Sequence, residues 1–124
     1  MFQSSPILIS FPDCSSQGAC RAFLRELERL LSESYRPQIV FDMSRASMLS
    51  AMGIDLMLQC ISRVAKHDGE LKLAAVSPET SLVLELTQLN DVVEVFKTVQ
   101  EAIDSFDGHW LAEPARRDSP LSAA

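Results

Sequence analysis

Short apolar runs alternate along the chain with longer stretches in which apolar residues return every third or fourth position, a pattern that predicts strands interleaved with amphipathic helices. The segment "PILISF" is apolar, partly β-branched and entered after a proline, so it reads as a strand. Over residues 19–34, Cys20, Phe23, Leu24, Leu27, Leu30 and Leu31 make one face, and Arg21, Arg25, Glu26, Glu28 and Arg29 the other. A helix with one buried side is expected there. Pro37 stops it, because proline lacks the amide that a continuing helix needs. "QIVFDM" follows as a near-continuous apolar run, expected to be a central strand covered on both faces.

A second helix is predicted to begin just after Ser50, with Ile54, Met57, Leu58, Ile61, Val64 and Ala65 on its buried face. It should end at "KHDG", where Lys66 and His67 suit the negative end of the helix dipole and Gly69 is the expected left-handed cap. "ELKLAAV" reads as a third strand. "SPE" then opens a third helix, with Ser77 as cap, Pro78 in the first turn and Leu82, Val83, Leu86 and Leu89 as the buried side. "DVVEVF" is a short strand or extended segment, and "TVQE" a capping box that starts a last helix carrying Val99, Ala102, Ile103 and Phe106.

Strands alternating with helices in this order predict an α/β fold: one domain over residues 1–107, a mainly parallel mixed sheet of about four strands, and four helices. From residue 108 the composition turns polar and proline-containing without period, which reads as a mobile C-terminal tail over 108–124. Trp110 and Leu111 are costly to leave in water and are expected to dock on the domain or on a partner.

Charge narrows the function. A net charge of −6 with scattered basic residues argues against nucleic-acid binding, which takes clustered Lys and Arg, and makes a basic protein partner the easier match. No apolar run approaches the roughly 20 residues needed to cross a bilayer, and the start lacks the pattern of a signal peptide, so no membrane insertion and a cytoplasmic location are expected. Cys14, Cys20 and Cys60 show no metal or disulfide spacing; Cys20 and Cys60 read as small core residues.

The strand ends, where α/β enzymes place their chemistry, carry Asp13, Cys14, Ser15 and Ser16, then Ser44, Ser47 and Ser50, then Ser77 and Glu79, with no histidine among them. No phosphate-binding glycine loop or nucleophile motif is present. Ser50, Ser77 and Thr98 are each placed to cap a helix, and Asp42 reads as a hydrogen-bonded carboxylate at a strand end. No cofactor and no enzymatic activity are expected.

The wording of "IVFDMSRAS", of "DGELKLAAVSPE" and of "LELTQLNDVVEVF" resembles the STAS domain, the fold of bacterial anti-sigma factor antagonists, over about residues 7 to 106. In that family the junction between the second strand and its helix commonly reads Asp-Ser-Ser-Gly or Asp-Thr-x-Gly, and the hydroxyl after the Asp is phosphorylated by a kinase that is also the anti-sigma factor. Matching on Gly53 puts Ser50 at the Asp position and Ala51 at the acceptor, so the resemblance implies a switch that lacks its hydroxyl. Family members also commonly carry two strands before the first helix, whereas there is room for one here, which leaves the strand from Ile7 toward Phe11 as an edge that a homodimer could cover.

The resemblance implies a non-enzymatic regulatory module that binds an anti-sigma factor or serine-kinase-like protein through Ser47, Ser50, Ala51, Met52, Gly53, Asp55 and Leu56 and is not released by phosphorylation at the usual position. Ser50 is the alternative position for a phosphate, since a helix N-terminus favours an anion. The competing expectations are a STAS-type accessory or scaffold subunit, of a lipid ABC transporter or a signalling assembly, and, further off, a small-ligand sensor.

Overall fold

The computed structural model describes residues 5–108. Trp110, Leu111 and the rest of the expected tail from 109 onward lie outside the described residues. The elements run β1 (Ile7–Ser10), α1 (Gln17–Ser32), β2 (Gln38–Asp42), α2 (Ala51–Lys66), β3 (Glu70–Ala74), α3 (Pro78–Leu86), a 3-10 turn (Leu89–Asp91), β4 (Glu94–Phe96) and α4 (Val99–Gly108). The alternation predicted from periodicity is the alternation observed.

The four strands form one sheet in the order β1-β2-β3-β4, and every pair is parallel. Right-handed crossovers that always step the same way put the connecting helices on one face. Accordingly Leu27 and Leu31 of α1, Leu56, Met57 and Cys60 of α2, and Leu84 of α3 share one core with Ile39, Phe41, Leu71 and Leu73 of the sheet. The alternate strand residues Val40 and Ala74 point the other way, onto Ala102 and Phe106 of α4. Ile39, Val40 and Phe41 are all fully buried, as expected for a strand covered on both faces.

Lys72 is the one charged residue of the sheet carried into that second layer, 4% exposed. Its Nζ donates to Ser105 Oγ at 2.6 Å, lies 3.2 Å from Glu94 Oε1 and sits 4.1 Å above the Phe106 ring. Each of these contacts offsets part of the desolvation of the ammonium.

Three local expectations change. The α2 terminus is a Schellman motif, with Gly69 N–H donating to Val64 O and Asp68 N–H to Ala65 O, but Asp68 takes the left-handed position (φ 59°) rather than Gly69. Gly69 is needed for space, since a Cβ there would lie 2.5 Å from the Pro37 carbonyl oxygen. On α2, Leu58 is about half exposed and Ala65 is exposed, because the buried line runs through Gly53, Leu56, Cys60 and Val64. On α3 the expected face is half right: Val83 packs against the core and Leu89, just past the helix, is buried, but Leu82 and Leu86 are 54% and 75% exposed and Thr80 and Leu84 are buried in their place.

Among the described residues β1 is an edge strand with Leu8 half exposed, which matches the expectation of a single strand before α1. Among the described residues, no helix is long and apolar enough to cross a membrane.

Candidate functional site

The chain leaves β2 at Asp42 and enters α2 at Ala51, and the connection between them is held by an every-third pattern of buried side chains: Met43, Ala46 and Leu49 are at most 4% exposed. Ser44, Arg45, Ser47, Met48 and Ser50 therefore face outward. The backbone is tied at several points. Asp42 Oδ1 accepts Ser44 N–H at 3.0 Å, Met43 N–H reaches Ala74 O at 2.9 Å, and Ala46 N–H reaches Met43 O at 3.0 Å. Asp42 is thus the hydrogen-bonded strand-end carboxylate that its position suggested.

The start of α3 is sewn to the same loop. Ser77 Oγ donates to Ser47 O at 2.6 Å while accepting Thr80 N–H at 3.1 Å, so it caps α3 as expected and also fixes the loop. The buried Thr80 hydroxyl donates to Ala46 O at 3.1 Å. With the Met43, Ala46 and Ser47 carbonyls bonded and the Met43, Ala46 and Leu49 side chains sunk into the core, the loop is pre-organised.

At the head of α2, Ser50 Oγ accepts Gly53 N–H at 3.1 Å, and Ile54 N–H closes the first turn on Ser50 O at 2.8 Å. Ser50 is the cap. Gly53 is buried beside Leu49, whose Cδ1 would be 2.9 Å from a Cβ at this position. Ala51 is exposed on the outer side of the first turn, Met52 is partly buried against the core, and Asp55 is exposed and accepts Gln59 Nε2–H at 2.9 Å.

Of the residues expected to contact a partner, Ser47, Ser50, Ala51 and Asp55 are thus exposed about the head of α2 and Met52 is half-buried; these make the candidate rim. Gly53 and Leu56 are not part of it: Gly53 is buried and Leu56 is a core residue at 1% exposure. The rim instead includes Met48, 60% exposed, which sequence reasoning did not single out. Its signal was present in the every-third spacing of Met43, Ala46 and Leu49, which leaves Met48 as the apolar residue of the loop out of step.

His67, the histidine among the described residues, is at the opposite end of α2, where its Nε2 lies 2.8 Å from Glu28 Oε2. Burial pushes the Cys60 thiol up to about 12, and burial together with the neighbouring Cys20 thiol does the same to Cys14, so neither offers a thiolate near neutrality. Among the described residues, no three His, Cys, Asp or Glu side chains are grouped to hold a metal.

The described residues thus make a wholly parallel four-stranded sheet with helices on both faces and a capped junction after its second strand. The family model of the STAS domain matches residues 17–102, and the chain belongs to that family. Solved structures agree on the fold. A STAS-domain protein from Planctomyces limnophilus, described as an anti-sigma-factor antagonist, superposes with a TM-score of 0.68 at 20% identity, over 81% of this chain and 89% of that one. A Thermotoga maritima protein described as an anti-sigma factor antagonist gives 0.64 at 16% identity, over 84% and 83%. The STAS domain of a SulP transporter from Vibrio cholerae gives 0.71 at 12% identity, over 91% and 89%. No curated protein sequence matches.

Proposed function

We propose that this chain is a non-enzymatic regulatory module of the anti-sigma antagonist type, docking an anti-sigma or serine-kinase-like protein on the rim formed by Ser47, Met48, Ser50, Ala51, Met52 and Asp55. The observation that carries the reading is a rigid, exposed apolar lip at the head of a helix: Met48 is 60% exposed beside exposed Ala51, on a loop fixed to the core and to α3. A partner that covers Met48 gains about 1–2 kcal/mol from its remaining apolar surface. Little ordering entropy is lost, because the loop is already held.

Ala51 stands where the family's resemblance implies the phosphorylated hydroxyl, so the complex would not be dissolved by a phosphate at that position. A phosphate would add nearly two charges to a surface that is apolar at Met48 and Ala51. Ser50 already serves as the helix cap, and intact-mass measurement of chain recovered from its native cells is expected to show no phosphate adduct on it. The uncovered β1 edge is the proposed surface of a homodimer, checked by sedimentation at several concentrations.

The test is Ala51→Asp. Quantitative capture of the partner should fall at least about tenfold, roughly 1.4 kcal/mol. Unchanged capture would move the contact off the junction. The competing reading as an accessory or scaffold subunit draws on the likeness to a transporter's STAS domain, and the identity of the captured protein separates the two. A kinase-fold ATPase supports the anti-sigma antagonist reading, and a transporter ATPase or a large assembly supports the subunit.

A further inference from the structure

The α1–α2 surface holds an unexpected concentration of positive charge for a chain of net charge −6. A groove of about 560 Å³ between the two helices is lined by Arg21, Arg25 and Arg29 of α1 and Arg63 of α2, with buried Leu24 at its floor and Glu28 as its one carboxylate. It runs on past Arg63 to Lys66 and His67. Arg29 is held by Glu26 and Glu33, and Arg63 by Glu28. Among the described residues, Arg21 and Arg25 have no hydrogen-bond or ion-pair partner.

We infer that this groove docks an acidic amphipathic helix of a protein partner, on a surface other than the β2–α2 loop and the first turn of α2. Arg21, Arg25 and Arg29 recur every four residues, stepping along α1 by about 6 Å, and with Arg29 already paired, Arg21 and Arg25 are the cations left for a partner. Cations strung along an axis match carboxylates spaced at four residues on a second helix, whereas a small anion needs donors that converge on one point. Two packed helices also offer the natural seat for a third, at an interaxial distance of about 8–10 Å. Leu24 gives the partner's apolar side something to cover. A nucleic acid is disfavoured because the chain as a whole repels it. The groove adjoins the junction at the Gln59–Asp55 hydrogen bond, but Gln59 and Arg63 lie about 12 Å or more along α2 from Ala51, so the groove can be filled without covering Ala51.

The probe is a fluorescent synthetic helix of about fourteen residues with Glu at every fourth position and Leu on one side, followed by anisotropy at low salt. Saturable binding is expected, weakening several-fold as salt is raised from about 50 to 200 mM, with no binding of the counterpart carrying Lys for Glu. The double variant R21E/R25E should weaken binding at least about tenfold. Its fold is checked by circular dichroism, and R21Q/R25Q gives the same direction without new repulsion toward Glu28. A51D should leave binding unchanged, so failure of the groove and failure of the junction are separate results. The inference is overturned if the acidic helix does not saturate below about 1 mM, if the Arg variants bind it as well as the parent, or if triphosphate or single-stranded DNA displaces it from the same arginines.

Discussion

Replacing Ser50 by Ala removes the acceptor that holds Gly53 N–H at 3.1 Å and leaves the Ile54 bond to the Ser50 carbonyl in place. A lost Ser cap costs about 1 kcal/mol on average and up to about 2. The upper part of that range applies, because Gly53 is buried and Leu49 occupies the space beside it, which hinders water from taking over the amide. For a domain of this size, a loss of about 1–2 kcal/mol lowers Tm by about 4–8 °C, and with a urea m-value near 2 kcal/mol/M it moves the midpoint down by about 0.5–1 M. Ser50→Asp keeps an acceptor and adds a negative charge at the positive end of α2, so it should stay within about 0.5 kcal/mol of the parent. Urea melts of the three proteins settle the point. If Ser50→Ala melts with the parent, the hydroxyl is not a cap, and its role would have to be contact or modification.

Other consequences follow from single contacts. Gly69→Ala would push a methyl group against the Pro37 carbonyl, which also accepts Glu70 N–H at 2.9 Å, and should cost about 2–3 kcal/mol in the same melts; a cost below about 0.5 kcal/mol contradicts the crowding. The thiols should resist a disulfide reagent at pH 8 in the native state and all react in urea, since Cys14, Cys20 and Cys60 are buried and the Cys14 and Cys60 thiols are pushed up to about 12; fast native labelling of Cys60 would refute this. The hydrogen bond from His67, then that from Arg63, holds the Glu28 carboxyl below the usual carboxylate range. A depressed carboxylate stabilises above its unfolded pKa and loses that contribution as pH falls through the folded value. Glu28→Gln should therefore flatten the stability profile below about pH 4.3, by less than about 1 kcal/mol because Glu28 is 41% exposed; an unchanged slope would discount the pair.

How far the sequence could be read depended on whether a feature was periodic. β2 was legible because three successive apolar residues, Ile39 to Phe41, can only be buried on both sides of a sheet. α4 was legible because Val99, Ala102, Ile103 and Phe106 keep helical spacing and all pack on one layer. α3 was half misread: Val83 packs on the core as expected, but Leu82 and Leu86 turn outward because apolar residues surround the helix and a polar side chain helps fix its rotation, Thr80, bound to the Ala46 carbonyl 34 residues away. No local pattern carries that partner. Gly69 was identified as special for the wrong reason, since its crowding comes from Pro37, which is remote in sequence and adjacent only through the β2–β3 pairing. At the junction the capping role of Ser50 was readable from its place before an apolar run, but the burial of Leu56 and the exposure of Met48 depend on how the helix and loop are rotated against the core. The arginine row on α1 was seen as a polar helix face; its meeting with Arg63 in one groove needed the packing of α2.

Hydrogen–deuterium exchange of the chain, alone and with its captured partner, tests the proposed docking surface most directly. The account predicts slowed exchange of the exposed amides from Ser47 to Asp55 in the complex, lost again with Ala51→Asp, while the Phe96 edge of the sheet exchanges as before. Unaltered exchange across residues 47–55 with protection elsewhere would contradict it.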